Sequence, residues 1–352
     1  MMFEMVKRLG LSVYISTFSK QKEMLTNFIG SESFIFTSFH IAEEVDEHYI
    51  AKAKEMCDWL NQHDFKILAD VSPKTLELFE YESLVAFASD FGLDQLRLDY
   101  GFNTETIKDL SSRYPLMVNA STLDFPDELV SDSSCKIDAM HNFYPRPETG
   151  LDRELFRSIN QQITNQNMDV LAFIPGDTVM RGPIYEGLPT LEDHRNQPPY
   201  VSFLDLVKNE GIETVCVGDV ALSTRQIDLI LAYLDTGIIQ VPVELDEPYT
   251  YLYGKSFTIR MDSPSGLKRF QESRQIASLG QAVPKRRTID RKRGVLTMDN
   301  EKYLRYSGEI QWLSQDYPQD DRVNVIGEVD DEYLALLDLV KNGDVIQLVK
   351  AK

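Results

Sequence analysis

Cysteine is scarce in this chain: Cys57, Cys135 and Cys216 lie far apart among 352 residues. That number and spacing exclude a disulfide framework and a CxxC metal site, and they fit a reducing compartment. Histidine is scarce too, with five residues and no pair at metal-ligand spacing, so no metal is expected. No apolar run approaches the ~20 residues of a membrane helix. The apolar segment after Lys7 and Arg8 is short and broken by Ser12, Ser16 and Thr17. No secretory leader is read there, and the expected location is cytoplasmic. Positive charge is in deficit: 36 basic against 56 acidic residues give a net charge of −20. Such a field repels phosphate backbones and anionic membranes, so neither nucleic acid nor membrane is an expected partner. No GxGxxG follows the first apolar run, no His-x-His stands near its end, and no run ends in a lysine suited to a Schiff base. A dinucleotide site, a metal amidohydrolase and a pyridoxal-phosphate enzyme are disfavoured, and no cofactor is expected.

What is present is alternation. Eight strand-like runs, at 9–16, 33–40, 66–71, 95–100, 116–120, 136–141, 170–175 and 213–218, are separated by amphipathic stretches. Val45, Tyr49, Ala53, Met56 and Leu60 recur at a helical period. Ser72 before Pro73 reads as an N-cap with proline at the first helical position. Eight βα units in this length predict an α/β fold, a (β/α)8 TIM barrel over residues 1–237, in preference to an open doubly wound sheet. From 238 to 352 helical periods fade. Short runs predict a smaller β-rich, antiparallel domain with one helix near 331–341.

A barrel places its chemistry at the C-terminal ends of its strands. Nearly every run here ends in polar groups: His40; Asp70 leading to Lys74; Arg97, Asp99 and Tyr100; Asn119; His141, Asn142, Tyr144 and Arg146; Asp177; and Asp219. One such group is ordinarily a helix cap, but seven converging on one face predict a functional pocket. The segment 176–199 is 24 residues long and carries Asp177, Arg181, Tyr185 and Glu186. A loop of that length is expected to act as a lid or binding element, held to an ordered path by its glycines and prolines. Paired carboxyls with aromatic residues suit glycoside hydrolysis, one acid protonating the leaving oxygen and the other attacking or activating water. Asp99 with Asp177 or Glu186 is the expected pair, with Asp70 in reserve. Asn119, His141, Asn142, Tyr144, Tyr185, His40 and Arg97 are expected to bind the sugar. Lys74, Arg146 and Arg181 suit an anionic group on it. The basic cluster Lys285–Arg293 reads as a solvated loop, with a role over the barrel mouth as the alternative.

Several segments carry a resemblance: 36–40, 70–76, 96–102, 119–123, 141–147, 174–177, 181–191, His194-Arg195 and, near the C-terminus, 305–309. Together they resemble the bacterial 6-phospho-N-acetylmuramidase family of the MupG type along nearly the whole chain. The resemblance implies a barrel followed by a cyclophilin-like domain. It also implies cytoplasmic cleavage of a phosphorylated amino-sugar disaccharide, N-acetylmuramic acid 6-phosphate–N-acetylglucosamine, from recycled cell wall. It assigns no catalytic pair. A non-catalytic sugar-phosphate binder and a sugar-phosphate isomerase or aldolase are the competing functions, and a homo-oligomer is left open.

Overall fold

The structure is a computed structural model that describes residues 8–39, 41, 45–121, 134–275 and 282–351. The chain forms two compact units, Met1–Thr224 and Arg225–Lys352. In the first, β1 (Arg8–Ser12), β2 (Phe34–Ser38), β3 (Lys66–Val71), β4 (Gln95–Leu98), β5 (Leu116–Asn119), β6 (Ile137–Met140), β7 (Val170–Ile174) and β8 (Thr214–Val217) close into a barrel. Every neighbouring pair is parallel, and β8 pairs back onto β1. This is the expected (β/α)8 architecture.

Side chains alternate along each strand, so one set fills the barrel and the other faces the helices. Phe36, Leu68, Met117, Met140, Leu171, Phe173 and Cys216 form the interior cluster. The outer layer comprises α1 (Phe18–Leu25), α2 (Tyr49–Gln62), α3 (Pro73–Phe79), α4 (Leu84–Phe91), α5 (Thr104–Ser111), α6 (Arg153–Asn165) and α7 (Pro199–Lys208). α3 starts at Pro73 as expected, whereas α2 starts only at Tyr49, which leaves Val45 outside it and exposed. Thr75 Oγ1 accepts the Ser72 N–H at 3.1 Å at the start of α3, and Asp152 Oδ1 accepts the Leu155 N–H at the start of α6. Outside β2, Phe39 lies edge-on to Phe79, Phe87 and Phe91 at 5.3–5.8 Å, which docks α3 and α4. Each buried ring contributes about 1.5–3 kcal/mol of transfer free energy.

The second unit begins with α8 (Thr224–Thr236), whose Arg225 donates to the Lys350 carbonyl and whose Gln226 donates to the Tyr333 hydroxyl. Seven strands follow: β9 (Ile239–Leu245), β10 (Ser256–Thr258), β11 (Leu267–Arg269), β12 (Val295–Asp299), β13 (Ile310–Leu313), β14 (Val323–Val329) and β15 (Val345–Lys350). They form one sheet in the order β10-β15-β9-β14-β12-β13-β11. The sheet is mixed, because β15 pairs with β9 in parallel, which corrects the purely antiparallel expectation. The helix expected over 331–341 is two short pieces, a 3-10 turn at Asp331–Tyr333 and α9 (Leu336–Leu339). Among the described residues no helix is long and apolar enough to cross a membrane.

Candidate active site

The barrel mouth is organised by one arginine. Ser38, Asp70 and Arg97 are register partners on β2, β3 and β4. Asp70 and Arg97 share the inward parity of Leu68 and Gln95 and are 7% and 5% exposed. Arg97 Nη1 donates to Asp70 Oδ1 at 2.7 Å and to Asp99 Oδ1 at 3.4 Å, while Nη2 donates to Asn142 Oδ1 at 2.7 Å. Ser38 Oγ donates to Asp70 Oδ2 at 3.4 Å, and Asn119 Nδ2 donates to Asn142 Oδ1 at 3.4 Å. Residues from five consecutive strand ends thus meet in one charge-assisted network. A guanidinium carries no acceptor, so Arg97 fixes the Asn142 amide with its oxygen toward Nη2. The amide NH2 is left as a donor on its other side.

The opposite side of the mouth is built by the segment after β7. Asp219, 1% exposed at the end of β8, accepts backbone N–H groups from Gly176 (2.9 Å), Arg181 (2.9 Å) and Leu188 (3.0 Å). Burial pushes its carboxyl above the usual range, and the three N–H donors and Arg181 oppose that shift. Tight approach is needed here: a Cβ on Gly218 would sit 2.6 Å from the Leu188 carbonyl oxygen. Thr190 stitches the far end of the segment back, its Oγ1 accepting the Phe173 N–H at 2.8 Å and donating to the Asn142 carbonyl at 3.0 Å. Arg195 donates to Glu192 and to the carbonyls of Tyr144, Arg146, Glu186 and Gly187, which ties this segment to the one after β6. Glu192 is held down to about 2 by Arg195 and by the N–H groups of Glu148 and Gly150. The segment follows the ordered path expected of it. It places Arg181 Cζ 4.0 Å from the Tyr14 ring centroid and 6.0 Å from that of Phe143, a cation–π seat. Tyr14 is itself buried and donates to the Gly218 carbonyl at 2.5 Å.

Other expected site residues fall elsewhere. His141 is corrected: it is fully buried and points outward, its Nε2 2.7 Å from Asn160 Oδ1 and its ring 4.6 Å from Phe156, both on α6. Burial pushes its pKa down to about 4, so it is a neutral packing residue near neutrality. Asp177 is exposed and accepts the N–H (2.7 Å) and hydroxyl (2.6 Å) of Ser223. Glu186 and Tyr185 are exposed on the segment, Tyr185 at 65%, and Tyr100 after β4 is 53% exposed. Lys74 and Arg146 are exposed and Tyr144 is half-buried. His40 lies outside the described residues. Sequence reading missed Ser38, Tyr14 and Arg195; the inward parity shared with Phe36 would have found Ser38.

Four of the six cations of the basic cluster are paired with carboxylates. Lys285 pairs with Asp321, Arg287 with Asp246, Lys292 with Asp316 and Arg293 with Asp338. A cavity of about 280 Å3 beside Phe28, His63 and Asp64 lies where the chain leads into β2 and β3, at the N-terminal end of the barrel, away from the convergent polar groups. No group of three or more His, Cys, Asp or Glu arranged to hold a metal occurs among the described residues.

Residues 9–231 match the family model described as 6-phospho-N-acetylmuramidase, N-terminal, and residues 239–349 match its C-terminal counterpart. A crystal structure of a conserved Enterococcus faecalis protein of unknown function is similar at 29% identity and a TM-score of 0.85, covering 97% of this chain and 96% of that one. An uncharacterized B. cereus protein is similar at 26% identity and a TM-score of 0.78, covering 98% and 100%. No curated protein matches. The chain belongs to the 6-phospho-N-acetylmuramidase family.

Proposed function

We propose that the barrel mouth hydrolyses the glycosidic bond of N-acetylmuramic acid 6-phosphate–N-acetylglucosamine, releasing the 6-phosphosugar and N-acetylglucosamine in the cytoplasm during cell-wall recycling. The observation that carries this reading is the pair of carboxylates, Asp70 and Asp99, gathered on one guanidinium at the C-terminal ends of adjacent strands. Glycosidases need two such acids facing one bond. Tyr100 and Tyr185 expose flat apolar faces suited to pyranose rings. The amides of Asn119 and Asn142 suit an acetamido group or hydroxyls. Arg181, seated on Tyr14 in the first of the two segments where barrels commonly hold phosphate, suits the substrate's phosphate or lactyl carboxylate. Lys74 and Arg146 add positive charge nearby. No metal or cofactor enters the scheme. We take residues 1–237 as the catalytic barrel and 238–352 as a cyclophilin-like domain.

The test is incubation of the full-length protein with the phosphorylated disaccharide and, in parallel, with its unphosphorylated form, with products read by mass spectrometry. Cleavage confined to the phosphorylated compound is expected. Tight binding without cleavage would make the protein a sugar-phosphate sensor instead.

A further inference from the structure

We propose that this barrel cleaves its glycoside with net retention at the anomeric carbon, Asp70 acting as nucleophile and Asp99 as acid and then base. The proposal rests on the glycosidase reading above and adds the identity, roles and stereochemistry of the pair.

Distance decides the stereochemistry. Asp70 Oδ1 and Asp99 Oδ1 contact the same atom, Arg97 Nη1, at 2.7 and 3.4 Å. The two Oδ1 atoms therefore lie no more than the sum of those contacts, about 6.1 Å, apart. Inverting enzymes keep their carboxyls about 6.5–9.5 Å apart to seat a water between acid and base, and retaining enzymes about 5–5.5 Å. Two oxygens held on one guanidinium nitrogen stand on the short side of that division, the spacing of direct attack. The other acids of the mouth have different partners: Asp177 binds Ser223, Glu192 binds Arg195, and Asp219 binds three backbone N–H groups.

Burial decides the roles. The Asp70 side chain is 10% exposed and makes the shorter contact to Arg97. Its charge is compensated and its position fixed by Arg97 and Ser38, as a nucleophile at the floor of a pocket requires. The Asp99 side chain is 26% exposed and makes the longer contact, so it can reach both a leaving oxygen and solvent. In the first step Asp99 gives its proton to the glycosidic oxygen, the C1–O bond breaks, and an Asp70 carboxylate oxygen bonds to C1. In the second, Asp99 takes a proton from water, the water oxygen bonds to C1, and the ester bond to Asp70 breaks. One water is consumed and both side chains return to their starting states. Arg97 positions both carboxylates throughout.

The test uses wild-type protein and the β-linked phosphorylated disaccharide, with proton NMR following the anomeric signal before mutarotation. First appearance of the β-anomer is expected. First appearance of the α-anomer overturns the proposal and leaves the glycosidase reading intact, whereas absence of any cleavage overturns the reading itself. Asp70→Asn is expected to lower kcat by at least about 10³-fold, and Asp99→Ala by about 10²–10⁴-fold. With an activated aryl β-glycoside of the 6-phosphosugar, whose leaving group needs no proton, azide added to Asp99→Ala is expected to restore turnover and give the β-glycosyl azide. Wild-type turnover by Asp70→Asn, or an α-azide from Asp99→Ala, overturns the assigned roles.

Discussion

Replacing Asp219 with alanine tests how the mouth is held. Its carboxylate accepts three backbone N–H groups at 2.9, 2.9 and 3.0 Å, and all three belong to the segment that carries Arg181. Alanine removes the acceptor from each. A buried N–H left without a partner costs about 1–3 kcal/mol, so three set a ceiling of roughly 9 kcal/mol. Two effects reduce that cost. Water can enter the space the carboxylate vacates, and the burial that pushes the Asp219 carboxyl upward no longer penalises a charge. A net loss of roughly 2–4 kcal/mol is expected. Asp219→Asn keeps one acceptor but turns an NH2 toward N–H donors, so its loss is expected to be about half as large. The segment should loosen before the barrel unfolds, releasing Arg181 from its place over Tyr14. The assay is urea denaturation of both variants, with KM and kcat on the phosphorylated disaccharide. KM is expected to rise about tenfold, equivalent to 1.4 kcal/mol of lost positioning, with a smaller change in kcat. A variant within about 0.5 kcal/mol of wild type and with unchanged KM would refute the view that this carboxylate holds the segment.

Arg181→Gln removes a charge that stacks on Tyr14. It is expected to raise KM for the phosphorylated disaccharide at least tenfold while costing about 1 kcal/mol of stability; an equal effect on an unphosphorylated substrate would refute a phosphate contact. Arg97→Met leaves the buried Asp70 carboxylate without its ion-pair partner, and a loss of about 3–5 kcal/mol in denaturant is expected, partly restored in Arg97→Lys. In the second unit, burial raises Asp299 to about 7 from its ordinary 3.8, with Glu309 and Asp320 adding to the rise while Gln311 and Arg269 oppose it. The folded state therefore holds this proton more tightly than the unfolded chain. The stability this confers is complete below about pH 4 and is lost as pH rises through about 7. About three pH units set a ceiling near 4 kcal/mol, of which roughly 1–2 are expected after local relaxation. Asp299→Asn should accordingly melt several degrees above wild type at pH 8 and close to it at pH 4; equal melting at pH 8 would refute the assignment.

The eight barrel strands were legible because each is a short apolar run between longer amphipathic stretches, and burial of both faces leaves few polar residues inside it. Except at β3, their C-terminal ends were over-read. The run 9–16 is strand only over Arg8–Ser12, and the residues beyond it, Tyr14 among them, turn to line the mouth. β11, Leu267–Arg269, was invisible because three residues, none of them fully buried, carry no periodic signal. The parallel pairing of β9 with β15 joins the two ends of the second unit, and no local pattern encodes it. His141 and Asn142 show what the sequence did contain. Both follow β6, and both looked like ligands for a sugar. Met140 fills the barrel interior, so strand alternation sends Asn142 inward to Arg97 and His141 outward to α6. Asp177 and Asp219 are alike as strand-end acids, and only the fold separates one that holds Ser223 from one that holds a whole segment.

Charge accounting at the mouth then sorts the arginines that composition alone could not. A chain with a net charge of −20 disfavours an anionic ligand at long range, so recognition of one must come from local positive charge. The cations of the 285–293 cluster are largely paired with carboxylates of their own unit. Arg195 is spent on Glu192 and four carbonyls. Arg97 faces two carboxylates and an amide oxygen, so it serves the acids rather than the ligand. Arg181 differs in its seat: its guanidinium lies over the Tyr14 ring at 4.0 Å and acts electrostatically on the buried Asp219, which fixes it on the segment after β7. The mouth therefore holds its two arginines in different ways: Arg97 anchors the acids at β3 and β4, and Arg181 is set over Tyr14 on the segment after β7, where the proposed function puts the anionic group of the substrate.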